Sequence, residues 1–243
     1  MQIWSLTDPG CVRTQNQDAF EIQKLKHGAM LFVVCDGMGG AKAGDVASSM
    51  AAREFTREIK EHYRASMSME SLDGLLDQAI VNANFAVYDQ AHHSEEYAGM
   101  GTTLVAALIR GKTATVVNVG DSRVYRINGD GISQITMDHS LVQLMIRRGE
   151  MTPEQARNFP GKNYITRAIG TEPSVKADIF HLDLKRGDGL LLCSDGLTNL
   201  VHDQEILFEV VHGSEKAECC QRLLDIAKNR GAPDNVTSIL VQI

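Results

Sequence analysis

Apolar runs and amphipathic stretches arrive along this chain in blocks. An apolar-polar alternation, Ile3-Trp4-Ser5-Leu6, leads into a polar loop that reaches Asp18. The unbroken apolar run Leu31 to Cys35 predicts a buried strand. Two helical patterns follow. Residues 43–65 place Val46, Ala47, Met50, Ala51, Phe55 and Ile59 on one stripe, and residues 72–91 do the same with Leu72, Leu75, Leu76, Ala79, Ile80, Ala83 and Val87. His92-His93 closes the second helix, where a histidine complements the dipole. From Thr102 the period shortens. Runs at 102–109, 113–119 and 122–127 are separated by turns at Arg110-Gly111, Gly120-Asp121 and Asn128-Gly129, which predicts an antiparallel meander.

Residues 138–173 interrupt the strands. They hold a short helix at 140–148, a helix start at Thr152-Pro153-Glu154, and a Pro160-Gly161 break. Such an insertion is either a lid beside a site or a decorative excursion. Strands return at 177–184 and 189–194, then helices at 201–211 and 214–230, then a last strand from Val236 to Ile243. Helix pairs between runs of antiparallel strands suggest two packed sheets covered by helices. No repeat, low-complexity tract or linker divides the 243 residues, so one domain over 1–243 is expected. Neither G-x-x-x-x-G-K-[ST] nor G-x-G-x-x-G follows a strand.

Composition narrows the classes. A formal charge of −7 argues against general nucleic-acid or anionic-membrane binding. The five cysteines form no C-x-x-C pair, and their number is odd. That suits a reducing, cytoplasmic setting. The N-terminus has no signal-peptide pattern, and no apolar run approaches the ~20 residues of a membrane span.

The candidate chemistry sits at strand ends. Asp36-Gly37 ends the first buried run and Asp195-Gly196 follows the apolar run 190–194, while Asp234 directly precedes the last strand. Each alone is an ordinary turn. Together, three rigidly held carboxylates suggest a divalent-metal cluster. Arg13, among Asp8, Asn16 and Asp18, is either a solvated loop residue or an anion clamp whose planar fork fits phosphate. Asp121 is a hairpin-turn residue unless it faces Asp36.

The motifs then go beyond pattern. Asp8-x-Gly10-x-x-Arg13-x-x-Asn16-Gln17-Asp18, Asp36-Gly37-Met38-Gly39-Gly40, Gly101-Thr102-Thr103, Gly120-Asp121-Ser122-Arg123, Asp138-His139-Ser140, Ile165-Thr166-Arg167-Ala168-Ile169-Gly170, Ser194-Asp195-Gly196-Leu197 and Asp234-Asn235-Val236-Thr237 span nearly the whole chain. The set resembles the bacterial branch of the metal-dependent type-2C (PPM) serine/threonine protein phosphatases. That resemblance implies an α+β fold: a four-layer αββα sandwich of two antiparallel sheets flanked by helix pairs, with 138–173 as a flap. It also implies two Mn²⁺ or Mg²⁺ ions. Asp36, Asp195 and Asp234 would ligate one, and Asp36 with the Gly37 carbonyl would hold the second, Asp18 acting largely through water. Asp121 would complete a third, weaker site. Arg13 would clamp the substrate phosphate, Asp8 would orient Arg13, and Asn235 would stand behind the ligands.

The implied reaction is hydrolysis of phosphoserine and phosphothreonine on proteins by a metal-bridged hydroxide, in line and without a phosphoenzyme. The all-oxygen donor set suits hard ions. No Cys-x₅-Arg loop is present. The implied partners are phosphoproteins and an opposing serine/threonine kinase, and the implied state is a monomer. The alternatives are a non-catalytic regulatory module of the same fold and a phosphatase dedicated to an anti-sigma-factor antagonist. Three positions depart from the family pattern. Met38 stands where eukaryotic relatives have a histidine, Gln17 where many have glutamate, and Phe159 where several have histidine.

Overall fold

The computed structural model describes residues 1–39, 43–157, 159–213 and 215–243. The strands are β1 (Gln2–Asp8), β2 (Asp18–Lys24), β3 (Met30–Met38), β4 (Gly101–Thr102), β5 (Leu104–Arg110), β6 (Thr113–Val119), β7 (Arg123–Asn128), β8 (Gly131–Gln134), β9 (Asp178–Asp183), β10 (Gly189–Cys193) and β11 (Val236–Gln242). The helices are α1 (Gly44–His62), α2 (Met69–His93), α3 (Leu141–Arg147), α4 (Pro153–Arg157), α5 (Asp195–Thr198), α6 (Asp203–His212) and α7 (Cys219–Asn229). One sheet runs β1-β11-β10-β7-β8. The other runs β2-β3-β5-β6-β9, with β4 against β3, and every pairing is antiparallel.

Strand alternation builds three cores. In β3, Leu31, Val33 and Cys35 pack under α1 and α2, while Phe32 and Val34 point between the sheets. In β10, Leu191 and Cys193 face α6 and α7, while Leu190 and Leu192 face inward. A strand buried on both faces reads as a continuous apolar run, which is why these two were so visible. The result is α+β, with helices, sheet, sheet and helices as successive layers. Phe32 has no exposed surface, and a Phe-to-Ala change at such a position costs about 3–5 kcal/mol.

The expected meander is only half correct. β5 and β6 pair, but β6 continues to β9, and β7 lies in the opposite sheet between β10 and β8. Gly120-Asp121-Ser122 is therefore a corner between sheets rather than a hairpin. Gly120 has φ +111°, and a Cβ there would lie 2.6 Å from the Thr103 side chain. A hairpin and a corner need the same turn residues, so the local pattern could not separate them. β2, β8 and the single turn α5 were not anticipated. β2 is half-buried for most of its length and shows little alternation. α2 begins three residues before the expected Leu72 because Ser68 Oγ accepts from the Ser71 N–H at 3.1 Å. Gly40 of the glycine motif, Asn158 of the insertion, and Ser214, the expected start of the last helix, lie outside the described residues.

Candidate active site

The inward phase of each strand decides where the carboxylates go. Asp36 shares the phase of Phe32 and Val34, so it enters the inter-sheet space where the apolar core ends. Asp18 stands directly across from Asp36 in the β2–β3 register. From the other sheet, Ser194 follows Leu192, Asp195 opens α5, and Asp234 precedes β11. Asp36, Asp121, Asp195, Asp234, Gly37 and Arg13 all line one cleft of about 640 Å³. Met38 and, from the insertion, Asn163 and Ile165 line it too. Asp18 lies beneath rather than in the wall.

Burial and mutual repulsion dominate the electrostatics. Burial first, then the charges of Asp18, Asp195, Asp121 and Asp234, hold the Asp36 carboxyl well above the usual carboxylate range. Asp195 is raised by burial and by Asp234, and its hydrogen bonds to Asp36 and Asn199 offset part of that. Burial pushes Asp18 up to about 7, against hydrogen bonds from Thr237 and Ser194, and pushes Asp121 up to about 8. Buried carboxylates arranged in this way call for a positive charge.

The residues fit divalent ions. The donors are oxygens throughout, which favours hard cations over zinc. Asp18 Oδ1 is buried without a hydrogen-bond partner. Gly37 leaves no room for a side chain, since a Cβ would lie 2.0 Å from the Gly44 carbonyl oxygen. Among the described residues, no group of three or more His, Cys, Asp or Glu side chains already forms a closed cage. Arg13 pairs with Asp234 at the rim of the cleft. Its Nε lies 3.1 Å from Asp234 Oδ1, and its Nη2 donates to Oδ2 at 3.1 Å.

Asp8 does not orient Arg13 by contact. Asp8 Oδ1 accepts from the Gly10 N–H and Oδ2 from Lys228 Nζ, each at 2.8 Å. Asp8 thus ties the Arg13 loop to α7, and Arg13 finds its partner in Asp234. Asn235 is the knot behind the candidate carboxylates. Its Oδ1 accepts from Gln17 N at 2.8 Å, and its Nδ2 lies 3.0 Å from the carbonyls of both Pro9 and Gln15.

Four hydroxyls that the motifs contain, but for which residue type alone suggested no role, complete the frame. Ser194 Oγ donates to Asp18 Oδ2 at 2.7 Å and accepts from Thr237 N at 3.0 Å. Thr237 also hydrogen-bonds Asp18. Thr103 Oγ1 accepts from Asp36 N at 2.9 Å and lies 2.7 Å from Ser122 Oγ. Ser122 and Ser194 adjoin Asp121 and Asp195 in the sequence, which was the available signal; Thr103 and Thr237 had none.

The model of the protein phosphatase 2C family matches residues 12–228. The chain belongs to this family. It is 40% identical over 239 residues to the serine/threonine phosphatase stp of Listeria innocua, covering 97% of this chain and 93% of that one. It is 35% identical over 254 residues to protein phosphatase PhpP of Streptococcus pneumoniae, covering 100% and 98%. The crystal structure of serine/threonine phosphatase Stp1 from Staphylococcus aureus superposes with a TM-score of 0.93 at 40% identity, covering 100% of this chain and 94% of that one. The phosphatase fold thus holds from β1 to β11. Family membership makes the chain a serine/threonine protein phosphatase, and the family is metal-dependent in general.

Proposed function

We propose that this enzyme hydrolyses phosphoserine and phosphothreonine monoesters on proteins, with two Mn²⁺ or Mg²⁺ ions held by Asp36, Asp195, Asp234 and the Gly37 carbonyl. The observation that carries the reading is the convergence of Asp36 and Asp18 from one sheet with Asp195 and Asp234 from the other at a cleft edged by Arg13. When bound, the ions would supply Lewis acidity that activates water for attack on phosphorus and neutralises charge on its oxygens. Asp36 would contribute to both ions, with Asp195 and Asp234 to one and with the Gly37 carbonyl to the other. Asp18 is held by Ser194 and Thr237 with one oxygen left over, which suits a contact through ordered water.

Arg13 is half-exposed at the rim, so its fork can grip a phosphate that arrives from solvent. Asp121 would serve a third, weaker cation. Met38 offers no proton, and no acid is assigned to that position. Asn163 and Ile165 would meet the protein that carries the phosphate. The chain would act as one catalytic unit and a monomer, opposing a serine/threonine kinase. Four of its five free cysteines are buried, which supports a reducing cytoplasmic setting. Among the described residues no helix is long and apolar enough to cross a membrane.

The test is phosphate release from a phosphothreonyl peptide with Mn²⁺, with EDTA, and with Asp195→Asn. Metal-dependent release that the substitution removes is expected. No release from several peptides with Mn²⁺ present would overturn the reading in favour of a non-catalytic module.

A further inference from the structure

His139 touches none of the carboxylates in the cleft wall, yet it grips the corner that carries Asp121. Its backbone N–H donates to the Gly120 carbonyl at 2.9 Å. Its ring Nδ1 accepts from the Gly120 N–H at 3.0 Å. An amide N–H can only donate, so Nδ1 carries no proton and the proton of the neutral ring sits on Nε2. Nε2 lies 3.2 Å from Asp178 Oδ2, which takes that hydrogen bond. Arg167 holds the other Asp178 oxygen at 2.8 Å and the Lys176 carbonyl at 2.9 Å. Its Nη1 is also 3.0 Å from Nε2. Both are donors there, so that approach is packing rather than a bond. The ring is buried, and burial holds it below the ordinary histidine range, in keeping with the neutral form.

The far side of the corner is pinned as well. Ser122 bonds Thr103, which accepts from Asp36 N. Gly120 has no slack, with φ +111° and the Thr103 side chain against it. Asp121 is therefore suspended between two fixed neighbours. On one side lies Asp36. On the other lies His139, whose carbonyl in turn accepts from Thr166 N at 2.7 Å.

We propose that His139 is a positioning residue for Asp121: as the Nε2–H tautomer selected by Asp178, its ring fixes the Val119–Gly120 peptide that enters the corner, beside the backbone hold on the Gly120 carbonyl, and so sets the direction in which the Asp121 carboxylate meets a divalent cation. This role rests on Asp121 being a cation ligand, as proposed above. Supporting residues of this kind typically contribute about 10–100-fold to metal affinity. His139→Leu removes the acceptor. His139→Asn returns one, because Asn Oδ1 stands close to the place of Nδ1. Asp178→Asn turns an amide N–H towards either the ring Nε2–H or Arg167, which disfavours the required tautomer.

The experiment is a calorimetric Mn²⁺ titration of these variants and of Asp121→Ala, alongside phosphate release as a function of Mn²⁺. Asp121→Ala is expected to remove the weakest binding event. His139→Leu and Asp178→Asn are expected to weaken that event about tenfold or more and to raise the Mn²⁺ midpoint of activity, with the plateau approached at high Mn²⁺. His139→Asn is expected to recover most of the loss. If Asp121→Ala leaves the weakest event intact, the assignment of Asp121 fails and takes this role with it. If Asp121→Ala removes it while His139→Leu binds as the unsubstituted enzyme does, only the positioning role fails. Should His139→Leu not fold, Asp178→Asn decides: an unchanged weakest event in that variant overturns the proposal.

Discussion

Arg13 grips both carboxylate oxygens of Asp234, with Nε and Nη2 each 3.1 Å away. The proposed phosphate clamp therefore rests on a proposed metal ligand, and the two roles share one electrostatic balance. Arg13→Ala should raise KM for a phosphopeptide by about 10–100-fold, the scale of a charge-assisted hydrogen bond, with a smaller change in kcat. Mn²⁺ should bind no more weakly, because Asp234 loses a competing cation. Steady-state kinetics and calorimetry separate the two. A defect confined to Mn²⁺ affinity would contradict the clamp.

Asp195→Asn separates activity from stability. Phosphate release should fall on the order of 10²–10³-fold or more. The metal-free variant should melt higher than the unsubstituted metal-free chain, since one of several mutually repelling buried carboxylates is gone. A gain of ~1 kcal/mol would shift Tm by about 2–4 °C at this size. Thermal melts in EDTA measure it, and a lower Tm would mean that the Asn199 contact outweighs the repulsion.

The pH dependence of the metal-free protein should run opposite to ordinary acid denaturation. Asp18 and Asp121 are raised to about 7 and about 8, above the unfolded value near 4. Between those limits the folded state keeps protons that the unfolded state has released, so stability falls as pH rises. EDTA-treated protein should melt higher at pH 5.5 than at pH 8, and Mn²⁺ should restore stability at pH 8, where its ligands ionise. Glu205, held down to about 2 by Arg230, works the other way and matters only in strong acid. A Tm that rises from pH 5.5 to 8 in EDTA would refute the buried repulsion.

Gly10→Ala should damage the site from a distance. Gly10 has φ +79°, and a Cβ would meet the Asp234 carbonyl oxygen at 2.3 Å and that of Ala232 at 2.6 Å. Strain of this kind costs about 1–3 kcal/mol. The displaced backbone carries Asp234, so weaker Mn²⁺ binding should accompany the lower Tm. Calorimetry that shows unaltered binding would place the strain elsewhere.

Much of the frame was legible because its central strands are apolar on both faces. The runs at 31–35, 190–194 and 236–241 led directly to Asp36, Asp195 and Asp234. What stayed hidden depends on partners far along the chain. Nothing local to Gly120 says whether β7 turns back beside β6 or crosses to β10. Nothing local to Asp8 reveals that Lys228, 220 residues away, takes its carboxylate. The hydroxyls of Thr103, Ser122, Ser194 and Thr237 were visible as letters, but their work is pairwise and appears only once the two sheets meet.

The pairing of β1 with β11 has a consequence for the timing of synthesis. Residues of the opening loop are fastened to Lys228, Ala232, Asp234 and Asn235, and Gln2 lies opposite Gln242. A nascent chain on the ribosome therefore holds Arg13 and Asp36 long before it holds Asp234. At about 5–20 residues per second, the two ends of the site emerge some tens of seconds apart at the slow limit. On the proposed metal site, dephosphorylating activity waits until β11 has left the exit tunnel and closed the sandwich.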